Sequence, residues 1–489
     1  MRISHAIKKG GNLEAMKKTI AVLLSLVMIL AVFTACSAPA ASSEAPSASS
    51  EAPASESPSD SAPVEKGVIN LYAFTDEVPG MIEKYIETHP DFGYTVNSTV
   101  IATTDGLYQP ALDQALAAGG AEAPDIYCAE SAFVLKYTQG DMSSYACPYA
   151  DLGIDVDAMT KAADIANYTI QIGTRPSDNA LVGLGYQATG SAFIYRRSLA
   201  KDTWGTDDPA EIGKKIGPGW DKFYAAAAEL KAKGYAIVSG DGDIWHAIEN
   251  SSDAGWVVDG KLNIDPKREA FLDYSKTLTD KGYSNITQDW QDAWYADMQG
   301  IGAQPVFGFF GPAWLINYVM AGHSGATFDD AGKLVEVGGT YGDWAVCESP
   351  VGFFWGGTWL IANKDSEKKE AVAEIIKWIT LQCDEDSLQY KWANGTLNGE
   401  GGTKDTVASS TVMAMSNGEL DFLGGQNMFE VFGKANAAAN GSNLTQYDET
   451  INNIWRDQVR QYAAGNISRD EAIAAFKQAV GDQLDITVE

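Results

Sequence analysis

The stretch VINLYAFTDEVPGMIEKYIETHPDFGYTVNSTVIATTDGLYQPALDQALAAGGAEAPDIYCAE, residues 68–130, alternates apolar runs typical of strands with segments of helical period. The pattern predicts strands over 68–74, 94–101 and 124–127, and helices over 75–89 and 108–118. Strands and helices in this alternating order are typical of a parallel sheet that is covered by helices on both faces. We therefore predict an α/β fold.

Polar side chains follow the first and third predicted strands. Asp76 and Glu77 come directly after the first strand, and Glu130 follows the third. In open α/β sheets, ligands bind beyond the carboxyl ends of the strands, so these carboxylates are candidates for ligand binding. Each has an alternative role as a stabilising negative charge at a helix N-terminus.

The N-terminal part of the chain has the pattern of a bacterial lipoprotein signal. An apolar stretch runs from about residue 20 to 35, which is shorter than the ~20 apolar residues that a membrane-spanning helix needs. A cationic head at Met16-Lys17-Lys18 and small residues before Cys36 complete the pattern, so we expect translation to start at Met16. Residues 1–35 are then a signal peptide and Cys36 carries a lipid, which anchors the chain to the outer face of the cell membrane. The alternative is an uncleaved N-terminal anchor.

Residues 36–66 are predicted to be a flexible tether. The segment is rich in Ser, Ala, Pro and Glu, and it contains no aromatic residue. Such a composition cannot bury enough apolar surface to offset the entropy of ordering it. The remaining length exceeds what one hydrophobic core accommodates, so two domains are expected.

The net charge and the histidine and cysteine content limit which ligands, metals and disulfides can be expected. The formal net charge is −30, which argues against nucleic acid and anionic lipid headgroups, although solubility alone also explains it. The four histidines have no metal-ligand spacing, and we expect no metal site and no cofactor. An exported chain can form disulfides, so Cys128–Cys147 is the pair to test, and Cys347 and Cys383 stay undecided.

Five segments resemble, in the right order, segments of a known protein family: residues 119–135 (GGAEAPDIYCAESAFVL), 185–199, 216–231, 305–314 (PVFGFFGPAW) and 356–383. The family comprises the extracellular solute-binding proteins of bacterial ABC carbohydrate importers (family 1, maltose-binding-protein-like). No single motif is diagnostic, but the likeness covers nearly all of residues 67–489 and accompanies a lipoprotein signal.

The resemblance implies a two-lobed, periplasmic-binding-protein-like fold of type II. Lobe one would comprise residues 67–186 and 309–364, and lobe two residues 187–308 and 365–489. A hinge would join the lobes, and a sugar would bind in the cleft between them, which closes on it.

The resemblance also selects aromatic candidates for the cleft, because aromatic faces cover the C–H patches of sugars. It places Trp314, in the GPAW segment, on the cleft wall and makes Trp355 a second candidate. Trp245 occupies the position where relatives have an aromatic residue from lobe two. Each of these tryptophans has an alternative role in a hydrophobic core.

Polar candidates would hydrogen-bond the sugar hydroxyls. Glu130 lies where relatives use a carboxylate for this purpose, and Asp76 and Glu77 are further candidates. Tyr186 and Gln187 lie near the predicted hinge crossing, so they either contact ligand or only form the hinge.

The leading hypothesis is a monomeric receptor, not an enzyme, that captures a carbohydrate and delivers it to the membrane subunits of an ABC permease. One alternative is a binding protein for a peptide or another polar solute. A second is a surface glycosidase, which needs two carboxylates ~5–9.5 Å apart across a sugar bond. Predicted insertions near residues 143–167 and 396–427 reshape the cleft, so the resemblance does not identify the sugar.

Overall fold

The computed structural model of the chain describes residues 66–103, 106–329, 334–399 and 401–489. The predicted signal peptide, the lipid-bearing Cys36 and the tether up to residue 65 lie outside the described residues. Among the residues that are described, no helix is both long and apolar enough to cross a membrane.

Eight strands build two sheets: β1 (Gly67–Ala73), β2 (Tyr94–Val100), β3 (Ile126–Glu130), β4 (Gly183–Gly185), β5 (Ala192–Arg196), β6 (Gly308–Gly311), β7 (Trp344–Cys347) and β8 (Thr358–Ala362). Four short ribbons accompany them: 174–175 with 180–181, 257–258 with 261–262, 327–328 with 334–336, and 419–420 with 426–427.

The first sheet has the strand order β2-β1-β3-β8-β4. As predicted from the sequence, β1 lies parallel to both β2 and β3. The sheet is nevertheless mixed, because β8 runs antiparallel to β3 and to β4. The antiparallel strand enters from a distant part of the chain, so the local alternation of residues 68–130 carries no information about its direction.

The second sheet has the order β6-β5-β7, and both pairings are antiparallel. The lobe boundaries expected from the sequence place residues 309–364 in lobe one, which contains the first sheet. These residues include β7 and most of β6. The structure pairs both strands with β5 instead. All four residues of each strand are buried, so their apolar character suits either sheet, and only the pairing with β5 decides between them.

Eighteen α-helices are described: α1 (Glu77–Thr88), α2 (Tyr108–Ala118), α3 (Val134–Thr138), α4 (Val156–Ala163), α5 (Asn167–Gly173), α6 (Arg197–Trp204), α7 (Pro209–Ile216), α8 (Trp220–Ala232), α9 (Asp241–Asn250), α10 (Pro266–Glu269), α11 (Phe271–Lys281), α12 (Asp292–Gln299), α13 (Lys369–Ile376), α14 (Leu388–Asn394), α15 (Ser410–Ala414), α16 (Phe429–Ala438), α17 (Asp448–Ala463) and α18 (Arg469–Gln483). Two π-helical turns, Leu315–Met320 and Lys377–Leu381, and three 3₁₀ turns, Ser143–Tyr145, Tyr149–Leu152 and Asp421–Leu423, complete the helical part of the described residues.

Helix α13 packs on the first sheet, although the sequence division placed residues 365–489 in lobe two. Its apolar stripe includes Val372 and Ile376, and both are buried in the same core as Leu71 of β1. The period of the stripe shows which face of the helix is buried, but it does not show against which sheet. Helices α9, α11, α17 and α18 instead contribute to a core that they share with β5.

The segment that joins β4 to β5 is held on both sides by other parts of the chain. On one side, the Trp355 amide donates to the Thr189 carbonyl (3.2 Å). On the other side, the Ala408 amide donates to the Tyr186 carbonyl (2.8 Å). Three passes of the chain therefore lie side by side where it leaves the first sheet for the second.

Cys128 and Cys147, the pair singled out from the sequence, are free thiols that are buried in the core of the first sheet. Cys347 and Cys383 are free as well. Burial raises the pKa of the Cys128 thiol, and the charge of Glu77 raises it further.

Candidate functional site

Three tryptophans and one histidine form a continuous group of rings, which we call the aromatic platform: Trp290, Trp314, Trp355 and His246. Trp290 stacks on Trp314 with ring centroids 6.2 Å apart, and Trp314 meets Trp355 edge-on at 4.8 Å. His246 stacks on Trp355 at 3.7 Å and an interplanar angle of 13°. The Trp314 indole N–H also donates to the Trp355 carbonyl (3.0 Å), which fixes the two residues relative to each other.

The platform is only partly covered by protein. Trp290 has 44% of its surface exposed, and Trp314 and Trp355 are half-buried. Trp290 also has a backbone φ of 65°, which is unfavourable for a bulky residue. Large aromatic rings held at such a partly exposed position are suited to covering the apolar faces of a ligand.

A cavity of about 140 Å³ opens beside the platform. One wall is formed by residues that end or follow β3 in the first sheet, namely Glu130, Ser131 and Ala132. Other lining residues come from helices α9 and α17, which contribute to the core around β5, and from the loop before β8. They include Trp245, His246, Glu249, Asn250, Trp355, Asp448 and Arg456. The cavity therefore lies between the parts of the chain that surround the two sheets.

Glu130 carries a carboxylate that is held from its own loop. The Ser131 hydroxyl donates to it (2.8 Å), and so does the Ala132 amide (2.7 Å). Burial nevertheless raises the pKa of Glu130, because the two hydrogen bonds do not fully replace its lost hydration. The carboxylate is thus positioned and only partly compensated, which suits it to accept hydrogen bonds from a ligand.

Below the platform, Asp289 joins His246 to a buried ion pair. The Arg456 guanidinium lies 2.6 Å from the Asp289 carboxylate, and the His246 Nε2 lies 3.6 Å from it. Burial alone would raise the pKa of Asp289, but His246 and the charge of Arg456 hold it well below its usual range. Burial lowers the pKa of His246, although Asp289 acts in the opposite direction.

Glu77 and Gln187 both interact with Asp405, away from the cavity. The Gln187 amide donates to the Asp405 carboxylate (3.0 Å). Burial raises the pKa of Glu77 to about 8, and the charge of Asp405 adds to the shift. Burial likewise raises the pKa of Asp405 to about 7. The three residues connect the first turn of α1 to the segments that run between the sheets.

The structure brings only part of the predicted site together. Glu130, Trp245 and Trp355 line the cavity, and Trp314 lies next to Trp355. Trp245 is only 1% exposed and packs on Phe271, so most of its ring belongs to the core.

The other predicted residues are not among those that line the cavity. Asp76 is exposed at the N-cap position of α1 and makes no capping hydrogen bond through its side chain. Tyr186 is fully buried and meets Trp392 edge-on, and its hydroxyl has no partner among the described residues. Tyr186 and Gln187 lie in the segment between the sheets.

Two members of the platform were not predicted. Trp290 lies in a turn, outside any helical or strand-like pattern of apolar residues. The one feature of the sequence that could have indicated a binding role is a tryptophan flanked by polar residues (QDWQD). His246 directly follows Trp245 on α9. Successive residues on a helix point about 100° apart, so one of the two faces the core while the other reaches the platform.

Comparisons with known proteins agree with this architecture. The model of the family described as bacterial extracellular solute-binding protein matches residues 73–382, which is more than half of the chain. A crystal structure described as an extracellular solute-binding protein of family 1 superposes with a TM-score of 0.67 and 20% identity, covering 86% of this chain and 99% of the other. A search of curated proteins found no match.

Two further solved structures have a bound sugar. The galacto-N-biose/lacto-N-biose I-binding protein of a Bifidobacterium longum ABC transporter, in complex with lacto-N-biose, superposes with a TM-score of 0.62 and 17% identity over 88% of this chain and all of the other. Maltose-bound T. maritima MalE3 superposes with a TM-score of 0.54 and 15% identity over 86% of this chain and all of the other. At these identities the likeness concerns the fold, which is the two-lobed, mixed α/β fold of periplasmic binding proteins. Because the family model covers most of the chain, the protein belongs to the bacterial extracellular solute-binding proteins.

Proposed function

We propose that this protein is the carbohydrate-binding component of a bacterial ABC importer. The observation that carries the proposal is the aromatic platform beside a cavity that is lined by residues from the surroundings of both sheets. Sugars present flat C–H patches and rings of hydroxyl groups, so they need aromatic faces and hydrogen-bonding groups side by side. The sugar complexes among the structural neighbours support the same ligand class.

In this proposal, the sugar lies against Trp290, Trp314 and Trp355. Glu130 accepts hydrogen bonds from its hydroxyls. Because Glu130 ends β3 of the first sheet and Trp314 follows β6 of the second sheet, a bound sugar contacts both lobes at once. Contacts with both lobes exist only when the lobes are close together, so the ligand shifts the population toward the closed form. The closed form then delivers the sugar to the membrane subunits of a permease.

The proposal includes a lipid anchor on Cys36 and a monomeric chain. The support for the anchor is the signal pattern in the sequence, and a two-chain lipid on one cysteine is enough for stable membrane attachment. The family description sets these proteins outside the cytoplasm, which agrees with export.

We propose binding without turnover. A glycosidase would need one carboxyl group as acid and another as nucleophile or base, on either side of one sugar bond. The aromatic platform instead offers a flat surface on which a sugar ring can lie. The family and the structural neighbours are binding proteins. A sugar that binds and is recovered unchanged is therefore the expected result.

A thermal-shift and calorimetric screen tests the function. The mature protein is measured with mono- and oligosaccharides, amino acids and short peptides, since a ligand that binds the native state raises Tm. We expect one class of sugar to raise Tm, and chromatography to recover that sugar intact. A response to peptides or amino acids alone would overturn the carbohydrate proposal, and hydrolysis of the sugar would overturn binding without turnover.

Trp314→Ala provides the test at the site, and Trp204→Ala is its matched control. Both indoles are half-buried and both donate an N–H hydrogen bond, to Trp355 in one case and to Glu229 in the other. Trp204 belongs to the surroundings of the core around β5 and does not line the cavity. We expect Trp314→Ala to abolish the sugar response and Trp204→Ala to preserve it.

A further inference from the structure

Asp289 is linked to two of the platform tryptophans in different ways. It directly precedes Trp290 in the chain. Its carboxylate also lies 3.6 Å from the Nε2 atom of His246, the ring that stacks on Trp355. This distance is too long for a hydrogen bond, but it is short enough for the negative charge to attract the polar edge of the imidazole. One carboxylate therefore lies next to the backbone of one tryptophan and next to the support of another.

Helix α17 anchors this carboxylate. The Arg456 guanidinium donates a hydrogen bond to one of its oxygens at 2.6 Å, and the Arg460 guanidinium lies 3.9 Å from the same oxygen. The side chains of Asp289 and Arg456 are only 11% and 16% exposed. The position of the carboxylate is thus set by a helix that contributes to the core around β5.

The first turn of α9 leaves room for the ion pair. Gly242 is buried in this turn, and a Cβ in its place would lie 2.8 Å from Asp289 Oδ1 and 3.0 Å from Arg456 Nη2. Any larger residue would therefore press on both charged groups. The turn before α12, the start of α9 and the middle of α17 meet at this one ion pair.

The turn that bears Trp290 has an unfavourable backbone and needs such an anchor. Ile286 and Trp290 have φ values of 58° and 65°, in the left-handed region that bulky side chains avoid. Such conformations persist only where their surroundings over-determine them. The Thr287 amide donates to the Ser239 carbonyl (3.2 Å) and holds the first part of the turn. The ion pair of Asp289 holds the last part.

Stability alone gives little reason for an ion pair at this place. A buried ion pair contributes little net stability compared with apolar side chains of the same shape, because both charges lose their hydration. A charged hydrogen bond does impose a defined geometry on the groups that make it. Binding surfaces depend on such supporting groups to hold the contacting side chains in one orientation.

We propose that Asp289 is a positioning residue of the sugar site. It holds Trp290 through the backbone, and it holds Trp355 through His246, in the orientation in which both indoles contact the sugar. Asp289 is not among the residues that line the cavity, so it acts through these rings. The inference rests on the proposed function, which assigns the rings to the sugar.

Fluorine NMR of the ligand-free protein tests the positioning itself. The mature protein is labelled with 5-fluorotryptophan, and the resonances of its 13 tryptophans are assigned by single substitutions with phenylalanine. We expect Asp289→Ala to shift or broaden the resonances of Trp290 and Trp355 and to leave that of Trp344 in place. Because no sugar is present, this result does not depend on the proposed function.

Asp343→Ala is the matched control. Asp343 is also partly buried and pairs with an arginine at 2.7 Å, and the guanidinium of this Arg196 lies over the ring of Trp344. Asp343 does not line the cavity. Its removal should change the resonance of Trp344 and leave those of Trp290 and Trp355 unchanged.

Calorimetry with the sugar found in the ligand screen measures the effect on binding. Asp289→Ala should weaken binding about tenfold, because two aromatic contacts lose their fixed orientation. Asp289→Asn should weaken it about threefold, since the amide keeps the shape and still accepts a hydrogen bond from Arg456 but has no charge. Asp343→Ala should leave the affinity unchanged.

A double-mutant cycle shows whether Asp289 acts through the rings. In a Trp290→Ala background, Asp289→Ala should weaken binding less than it does in the wild type, because only Trp355 is left for it to hold. Effects of residues that act independently would simply add.

The outcomes separate this inference from the proposed function. Normal sugar affinity in a folded Asp289→Ala variant, or unchanged resonances of Trp290 and Trp355, would overturn the inference and leave the proposed function intact. Additive effects in the cycle would overturn it as well. If Asp289→Ala does not fold, Asp289→Asn decides by the same criteria. Failure of every sugar to bind the wild type would overturn the proposed function and, with it, the binding role of Asp289.

Discussion

The imidazole ring of His246 lies almost parallel to the indole of Trp355, with centroids 3.7 Å apart. The histidine is 8% exposed and comes from α9, whereas Trp355 precedes β8. The stacked pair therefore joins a helix of one core to a loop that leads into the first sheet, and it sets the orientation of the central ring of the platform.

We first predict the effect of removing this support. His246→Ala leaves a void behind Trp355, so the indole loses its fixed orientation, and sugar affinity should fall about threefold to tenfold, as expected for an aromatic contact worth ~0.5–1.5 kcal/mol. His246→Phe retains a flat ring at the same place and should bind within about threefold of the wild type. Calorimetric titration of both variants checks this. Equal losses in the two variants would show that the stack does not support binding.

Trp290 allows binding and backbone strain to be separated. Its φ of 65° is in the left-handed region, where a side chain costs ~1–2 kcal/mol relative to glycine. Both Trp290→Gly and Trp290→Ala remove the ring and should weaken sugar binding strongly. In the absence of sugar, the Gly variant should be more stable than the Ala variant by ~1 kcal/mol, because glycine adopts this conformation freely. Urea unfolding of the two variants measures the difference, and a more stable Ala variant would contradict the prediction.

These residues also show which parts of the fold and of the site can be predicted from the sequence. The strand and helix bounds of residues 68–130 were predicted closely, because period and turn residues determine local structure. Trp314 and Trp355 stood out through family-like segments. His246 and Trp290 did not, because the phase of a short helix and the path of a turn depend on packing that no local pattern encodes. For the same reason, the pairing of β6 and β7 with β5 appeared only in the structure.

Glu77 should make stability depend on pH. Its pKa is raised from 4.5 in the unfolded chain to about 8 in the fold, chiefly by burial and also by the charge of Asp405. The folded state thus holds the proton more tightly. Its stabilising contribution is complete below pH 4.5 and is lost as the pH rises through 8. Glu77→Gln cannot lose a proton, so its Tm relative to the wild type should rise between pH 5 and pH 8.

Glu83→Gln is the control for this prediction, because Glu83 is an exposed glutamate on the same helix. The Tm difference between Glu83→Gln and the wild type should be the same at pH 5 and pH 8. Thermal unfolding across this range measures both variants. A Glu77→Gln variant whose Tm difference does not grow with pH would show that Glu77 is already ionised in the fold at neutral pH.

Gly190 occupies a position between the sheets where a side chain does not fit. Its amide donates to the Asn436 side-chain oxygen (2.8 Å), and a Cβ at this position would lie 2.4 Å from the Asn436 backbone nitrogen. Gly190→Ala must therefore displace α16 or the connecting segment, at a cost of ~1–3 kcal/mol in the free energy of unfolding. Because the connecting segment links the two sheets, the same displacement should weaken sugar binding.

Gly80→Ala is the matched substitution without a steric obstacle. Gly80 lies inside α1, is exposed, and has no atom within 4 Å of an added Cβ. Alanine should stabilise the helix there by ~0.5–1 kcal/mol and leave binding unchanged. Urea unfolding and sugar titration of both variants therefore give opposite signs of stability change for the same chemical change. If Gly190→Ala also proved stabilising, the segment between β4 and β5 would have to move enough to accommodate a methyl group. That result would contradict the tight packing of this segment against α16.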